Sequence, residues 1–135
     1  MKNEKQWNPS KYVLKNGTLK GSRNEKDVTI SSRLCVDLVA RFYQENIPHF
    51  VSGKLLDLGC GKVPLYDAYK NYISENVCID WQNTIHKNPF LDIETDINQP
   101  LPLGNEIFDT VILSDVLEHI RYPEELIAEI HRIMK

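Results

Sequence analysis

Residues Lys54 to Tyr66, KLLDLGCGKVPLY, join a short apolar run to a segment of helical character through a turn holding two glycines. A run this short, leucine-rich and cut off by glycine, reads as a strand buried on both faces. Pro64, just beyond the turn, suits the first position of a helix running to about Ile73, where its missing N–H costs nothing. A buried strand feeding a helix across a tight turn opens a βαβ unit, and such units build a mainly parallel sheet with helices on its faces.

The alternation continues on both sides of that turn. Before it, SSRLCVDLVARFYQENIP spaces Leu34, Leu38 and Phe42, and also Val39 and Tyr43, four residues apart. This predicts an amphipathic helix opened by a serine cap, with Pro48 just past its end. After it, NVCID reads as a second buried strand ending at Asp80 and LDIETDI as a weaker third ending near Asp96. QPLPLGN is a loop, and IFDTVILSD is a fourth strand with Val111, Ile112 and Leu113 in continuous apolar sequence. The stretch WQNTIHKNPF is too short and irregular for a crossover helix and reads as loop. A last helix starts at about Pro123, with Leu126, Ile127, Ile130, Ile133 and Met134 in one stripe. Glu124 and Glu125 lie in its first turn and His131, Arg132 and Lys135 in its last, as the helix dipole favours. The predicted class is α/β.

A chain of 135 residues suits one domain burying about two thirds of its surface. No apolar run approaches the roughly 20 residues of a membrane span, and the first ten residues lack the apolar core of a signal peptide. A cytoplasmic protein without a membrane role is expected. Cys35, Cys60 and Cys78 lack the spacing of a zinc site or redox pair, so no metal site is read, and two of them read as small core residues. Residues 1–33 carry eight Lys or Arg against three acids, whereas 34–135 carry eight against sixteen. The division is therefore a basic N-terminal arm or cap, 1–33, and a body, 34–135. The arm suits either an acidic partner or a solvated extension lying on the acidic body.

In a parallel α/β sheet, ligands bind beyond the carboxyl ends of the strands, where chain connections diverge. Gly59 and Gly61 fall there, and they let backbone approach a ligand closely, although a generic tight turn explains two glycines equally well. A P-loop needs Ser or Thr after Gly-Lys, and here Lys62 is followed by Val63; a dinucleotide fingerprint needs a third glycine where Pro64 stands. A nucleoside-type ligand with a compact, less anionic group over the turn remains. Asp80, nineteen residues after Gly61, is placed to accept hydrogen bonds from both ribose hydroxyls. Trp81 reads as either a cover for an adenine face or a core or loop aromatic. Asp96 reads as an acceptor for an adenine amino group or as a turn residue.

As a set, these segments resemble a class I S-adenosylmethionine-dependent methyltransferase. LLDLGCGKVPLY is similar to the family's first motif and CIDW to its acidic second-strand motif. TDINQPLPLGNEIFDTVILSDVLEHIRYPEELIAEIHRIMK is similar to its third and fourth regions, and LSDVLEHI is typical of the type 11 branch. The resemblance covers roughly residues 50–135. It implies a Rossmann-like, doubly wound sheet and S-adenosylmethionine as cofactor, with S-adenosylhomocysteine as product. It further implies that Asp57, Gly59, Cys60 and Gly61 line the methionine side and that Asp80 holds the ribose. Trp81 would pack on adenine, Asp96 and the Ile97 backbone would read its edge, and Ser114 and Asp115 would face the methionine moiety and the substrate entrance. No catalytic base is assigned: Glu118 and His119 read as structural, and Tyr12 and His86 as packing or surface residues in segments able to cover the site. The methyl acceptor stays unidentified.

The family's sheet has further strands after the helix that ends here at RIMK. Their absence would leave FDTVILSD as a long apolar edge, so self-association through that strand is expected. Beside a methyltransferase, the sequence therefore also admits a truncated, catalytically incomplete module that binds the cofactor or acts in oligomer contacts. An RNA-modifying enzyme using the basic arm ranks last, because no aromatic residues interleave with its charges.

Overall fold

The computed structural model describes residues 1–81 and 88–135. Its first strands, β1 (Tyr12–Lys15) and β2 (Thr18–Gly21), form an antiparallel hairpin. Asn16 and Gly17 turn it with φ of 51° and 74°, the pair of left-handed conformations a tight two-residue hairpin turn requires. The hairpin lies on α1 (Arg33–Phe50): Tyr12 and Leu19 join Val36 and Ala40 in one core cluster. Leu19 N donates to Gln44 Oε1 at 2.9 Å and Gly21 N to Asp37 Oδ1 at 3.0 Å.

Helix α1 departs from expectation in three ways. It emerges from a short 3-10 turn, Ile30–Ser32, and the Ser32 side chain does not cap it but pairs with Thr29 Oγ1 at 2.9 Å. Pro48 sits inside its last turn, which persists because Ile47 and Val51 on either side are buried and Val51 N bonds Ile47 O at 2.9 Å. Its core face is Val36, Ala40 and Ile47, while Leu34, Leu38 and Phe42 face outward.

The main sheet holds β3 (Gly53–Leu58), β4 (Ile73–Asp80), β5 (Ile93–Glu94) and β6 (Thr110–Ile112), all parallel, in the order β5-β4-β3-β6. Between β3 and β4 stands α2 (Tyr66–Tyr69), a single turn in place of the longer helix expected from Pro64 to Ile73. Val63, before the proline, takes φ 53° and cannot belong to a right-handed helix, and Ile73 is claimed by β4 instead. Strand β5 stops at Glu94, two residues short of Asp96. Helix α3 (Pro123–Ile133) begins where the sequence predicts.

Alternate residues of β3 serve two cores. Leu55 joins the cluster under the hairpin, α1 and α2; Leu56 and Leu58 join Ile79, Phe108, Leu126 and Ile133 under α3. Both faces of the central strand are covered, as a parallel sheet requires.

The turn after β3 is fixed by a close contact. Gly59 has φ 74°, and a Cβ built there would lie 2.5 Å from Val116 Cγ2, whereas a Cβ on Gly61 (φ 49°) meets nothing within 4 Å. Gly59→Ala should therefore lose about 2–4 kcal/mol from strain and overpacking together, and Gly61→Ala only the backbone share, about 1–2 kcal/mol. Denaturant unfolding of the two variants checks this, and equal losses would contradict the role given to Val116.

Candidate functional site

The strand order reverses across β3: the chain runs outward through β4 and β5, then returns to form β6 on the other side. The crevice beyond the carboxyl ends of β3 and β6 is the switch point at which such sheets bind ligands. Gly59 to Val63 leave one side of it and Ser114 and Asp115 the other.

Backbone bonds tie the turn to the end of β4. Gly59 N and Cys60 N both donate to Ile79 O, at 2.7 and 3.1 Å. One Asp80 oxygen accepts from Gly61 N at 2.8 Å and the other from Trp81 N at 2.7 Å. The Asp80 carboxylate is thus held in a fixed plane at the rim, with each oxygen retaining a lone pair. Above the turn lies a cavity of about 270 Å³ lined by Ser10, Lys11, Lys26, Asp27, Gly59, Cys60, Gly61, Lys62, Pro64 and Ser114. The N-terminal segment forms its roof.

Of the expected site residues, Gly59, Cys60, Gly61 and Ser114 meet at this cavity and Asp80 stands beside it. Cys60 is buried, and the neighbouring Cys78 thiol together with burial pushes its own thiol upward, away from reactivity. Ser114 Oγ accepts from Tyr43 OH at 2.8 Å, and Asp115, with φ 55°, accepts from Lys11 Nζ at 2.5 Å. Trp81 is exposed at the end of β4. Asp96 Oδ1 accepts from Asn98 N and Nδ2 at 2.9 and 3.0 Å, closing a local turn whose N–H groups hold its carboxyl below the usual range. Thr95 N, bonded to Asp80 O at 3.0 Å, brings that turn to the end of β4, and the Ile97 side chain is buried beneath it. Glu118 and His119 lie exposed in a 3-10 turn, Leu117–His119. His86 falls outside the described residues. Tyr12 is buried, and among the described residues its hydroxyl has no partner; burial, then the Asp115 charge, pushes its ionisation upward.

Sequence reasoning did not assign Ser10, Lys11, Lys26 and Asp27 of the N-terminal segment to the site, nor Tyr43 of α1, and Lys11 and Tyr43 bond to residues that it did assign. Each reaches it from far along the chain, Lys11 to Asp115 and Tyr43 to Ser114, and no local pattern marks either contact.

Asp57 points from β3 into the core beneath the turn rather than into the cavity. It is 4% exposed and accepts from Tyr69 OH at 2.9 Å, and Tyr69 OH in turn accepts from Asn76 Nδ2 at 3.0 Å. Burial pushes its carboxyl up to about 7, the Tyr69 bond opposing and the Asp80 charge adding. Because the folded state holds this proton more tightly than the unfolded chain, its contribution is fully present below the unfolded carboxylate pKa near 4 and is lost as pH rises towards 7. Asp57→Asn keeps an acceptor for Tyr69 and should flatten the pH dependence of stability between about pH 4 and 7. At pH 8 the variant should be more stable by about 2–4 kcal/mol, the linkage value of such a shift. Unfolding curves across that range decide, and an unchanged slope would contradict the burial argument.

Residues 56–135 match the methyltransferase domain family of type 11. No curated protein matches the chain. The crystal structure of a "putative methyltransferase" from Bacillus halodurans C-125 superposes with a TM-score of 0.56 at 19% identity, over 68% of this chain and 45% of that one. That likeness shows the fold, and this chain spans less than half the length of that structure. The family match covers more than half of the sequence in the same segments that build the sheet and the glycine turn. The chain belongs to the methyltransferase domain family.

Proposed function

We propose that the crevice is an S-adenosylmethionine site and that the domain serves methyl transfer to an acceptor not yet identified. The carrying observation is the pairing of an open Gly61 with Asp80: nothing lies within 4 Å of the space a Gly61 side chain would fill, and the carboxylate beside it is already oriented by two backbone N–H groups. Asp80 would accept from the ribose hydroxyls through its remaining lone pairs, and Gly59 to Gly61 would lie along the methionine side. Trp81, exposed beside Asp80, is free to cover an adenine face. Asp96 and the Ile97 backbone, brought to the end of β4, would read the adenine edge. Ser114 and Asp115 would stand at the acceptor's side. Bound there, S-adenosylmethionine supplies a methyl group activated on a sulfonium, leaving S-adenosylhomocysteine. The chain's own part is positioning and water exclusion, for which the roof from Ser10 to Lys11 and Lys26 to Asp27 is placed. Three free cysteines, two of them buried, fit a reducing, cytoplasmic setting, and no helix among the described residues is long and apolar enough to cross a membrane.

Calorimetric titration with S-adenosylhomocysteine tests this without an acceptor. Micromolar binding is expected, weakened at least tenfold in Asp80→Ala, where the charge-assisted bonds are lost. A folded chain that shows no binding would end the cofactor reading.

A second reading, an assembly module, draws on a different observation. Among the described residues β6 pairs through its strand only with β3, and beside its other edge runs an apolar groove of about 360 Å³ between Phe42, Phe50, Val111, Leu113 and Met134. An open strand edge next to apolar surface favours pairing with a second copy. Light scattering at micromolar concentration should report a mass above that of the monomer, and a monodisperse monomer would count against this reading.

A further inference from the structure

The basic N-terminal segment lies on an acidic body, yet few of its cations meet the acids there. Among the described residues, Lys11 and Arg23 alone of its lysines and arginines pair with acids beyond residue 33, namely Asp115 and Asp37. Lys15, Lys20 and Lys26 form no ion pair among the described residues, and neither does Lys62 in the glycine turn. By contrast Arg41, Lys54, Lys70, Arg132 and Lys135 of the body each hold a carboxylate. We propose that the outer face of the β1–β2 hairpin and the two lysines at the crevice form a phosphate track, and that the methyl acceptor is a single-stranded nucleic acid laid along it. The inference rests on the cofactor reading above and deepens it by naming the class of acceptor.

The hairpin register sets the direction of the row. Tyr12 and Leu19 are buried on the α1 side, so by the alternation of a strand Val13, Lys15, Thr18 and Lys20 share the opposite face. Lys20 stands across from Val13 and Lys15 across from Thr18, so neither lysine has an acid as its cross-strand neighbour. Both lysines are exposed. Ser22 N donates to Lys11 O at 2.9 Å, which carries the ladder on to the roof of the crevice. From Lys15 at the turn end to Lys11 at the crevice the strand spans about 13 Å. Lys26 and Lys62, both exposed, line the crevice itself and continue the row across its mouth. Because Tyr12 and Leu19 anchor the ribbon on α1, the row holds its direction without a ligand.

A line of lysines leading to a recessed site matches a polymer whose negative charge repeats along its length. An anionic membrane surface fits less well, because this face carries Val13 and Thr18 between its lysines and no large apolar side chain to enter lipid. The crevice lies under the roof from Ser10 to Lys11 and Lys26 to Asp27, so a nucleotide reaches it only when out of its stack, which a single strand allows at least cost. The lack of aromatics between the charges excludes a base-stacking platform but not a track that holds phosphates alone. Binding by such a track is electrostatic, indifferent to base sequence and steeply dependent on salt.

The test is fluorescence anisotropy of a labelled oligouridylate, roughly 20 nucleotides long, titrated with the 135-residue chain. Four lysines on phosphates give a slope of log affinity on log salt of about −3, so binding should weaken about fiftyfold between roughly 50 and 200 mM salt. The double variant Lys15→Gln, Lys20→Gln should bind about tenfold or more weakly at the lower salt and show about half that slope. It should keep its affinity for S-adenosylhomocysteine within about twofold by calorimetry, which also shows that it is folded. Lys54→Gln, at the far end of β3, should leave oligouridylate binding within about twofold. An equal loss in Lys54→Gln overturns the track, as does binding that does not respond to salt. Equal affinity for polyglutamate of the same charge, or for vesicles of anionic lipid, overturns the assignment to nucleic acid. A chain that binds S-adenosylhomocysteine but not the oligouridylate overturns this inference and leaves the cofactor reading standing. A folded chain that binds the oligouridylate but not S-adenosylhomocysteine overturns the cofactor reading, and the role of acceptor falls with it.

Discussion

Strand β3 is the element on which the rest of the molecule rests. Leu55, Leu56 and Leu58 have no exposed surface and face opposite cores in alternation. Burial of side chains of this size contributes about 1.5–3 kcal/mol each, and here one strand supplies both layers. Its parallel bonds to β4 and β6 bring the ends of three strands to one edge. The chain leaves β3 at that edge through the glycine turn: Gly59 passes against Val116 too closely for a side chain, and its N–H returns to Ile79. The packing that stabilises the sheet is thus what gives the crevice its floor.

The carboxylates around that floor divide by depth. Asp57, beneath the turn, favours its proton because burial outweighs the single bond from Tyr69. Asp80, at the rim, receives two backbone N–H groups and stays oriented toward the open side. Asp115 lies further out and is neutralised by a lysine of the N-terminal segment. A buried acid inclined to neutrality below a rim of charged ones limits repulsion in a small space, and it leaves the outer charges available to a ligand.

What was legible in the sequence follows from how local each feature is. The glycines, Asp80 and the start of α3 are set by neighbouring residues: a strand stopped by glycine, an acid at a strand end, a proline at a first helical turn. The two readings of Asp96 were both local, and its bond to Asn98 two residues on shows the turn directly. Asn16-Gly17 also carried a clear hairpin signal, which the view of residues 1–33 as a charged arm obscured. Helix α2 shortened because β4 competed successfully for Ile73, a choice made by pairing with Gly53 rather than by helix propensity. Lys11–Asp115 and Tyr43–Ser114 depend on the hairpin folding back over the sheet, which no spacing in the sequence expresses.

Helix α1 shows the same limit from the other side. Its spacing of Leu34, Leu38 and Phe42 correctly marks a helix, yet the face that meets the sheet is Val36, Ala40 and Ile47. Periodicity identifies an apolar ridge but cannot say which of two ridges is covered. Leu34, Leu38, Phe42 and Phe50 are 60–75% exposed, and they run along the helix into the groove beside β6. A helix apolar on two sides is suited to lie between two layers. Among the described residues the edge of β6 away from β3 and this outer ridge meet where Phe42 and Phe50 line the groove, and the proposed assembly reading rests on that meeting more than on the strand edge alone.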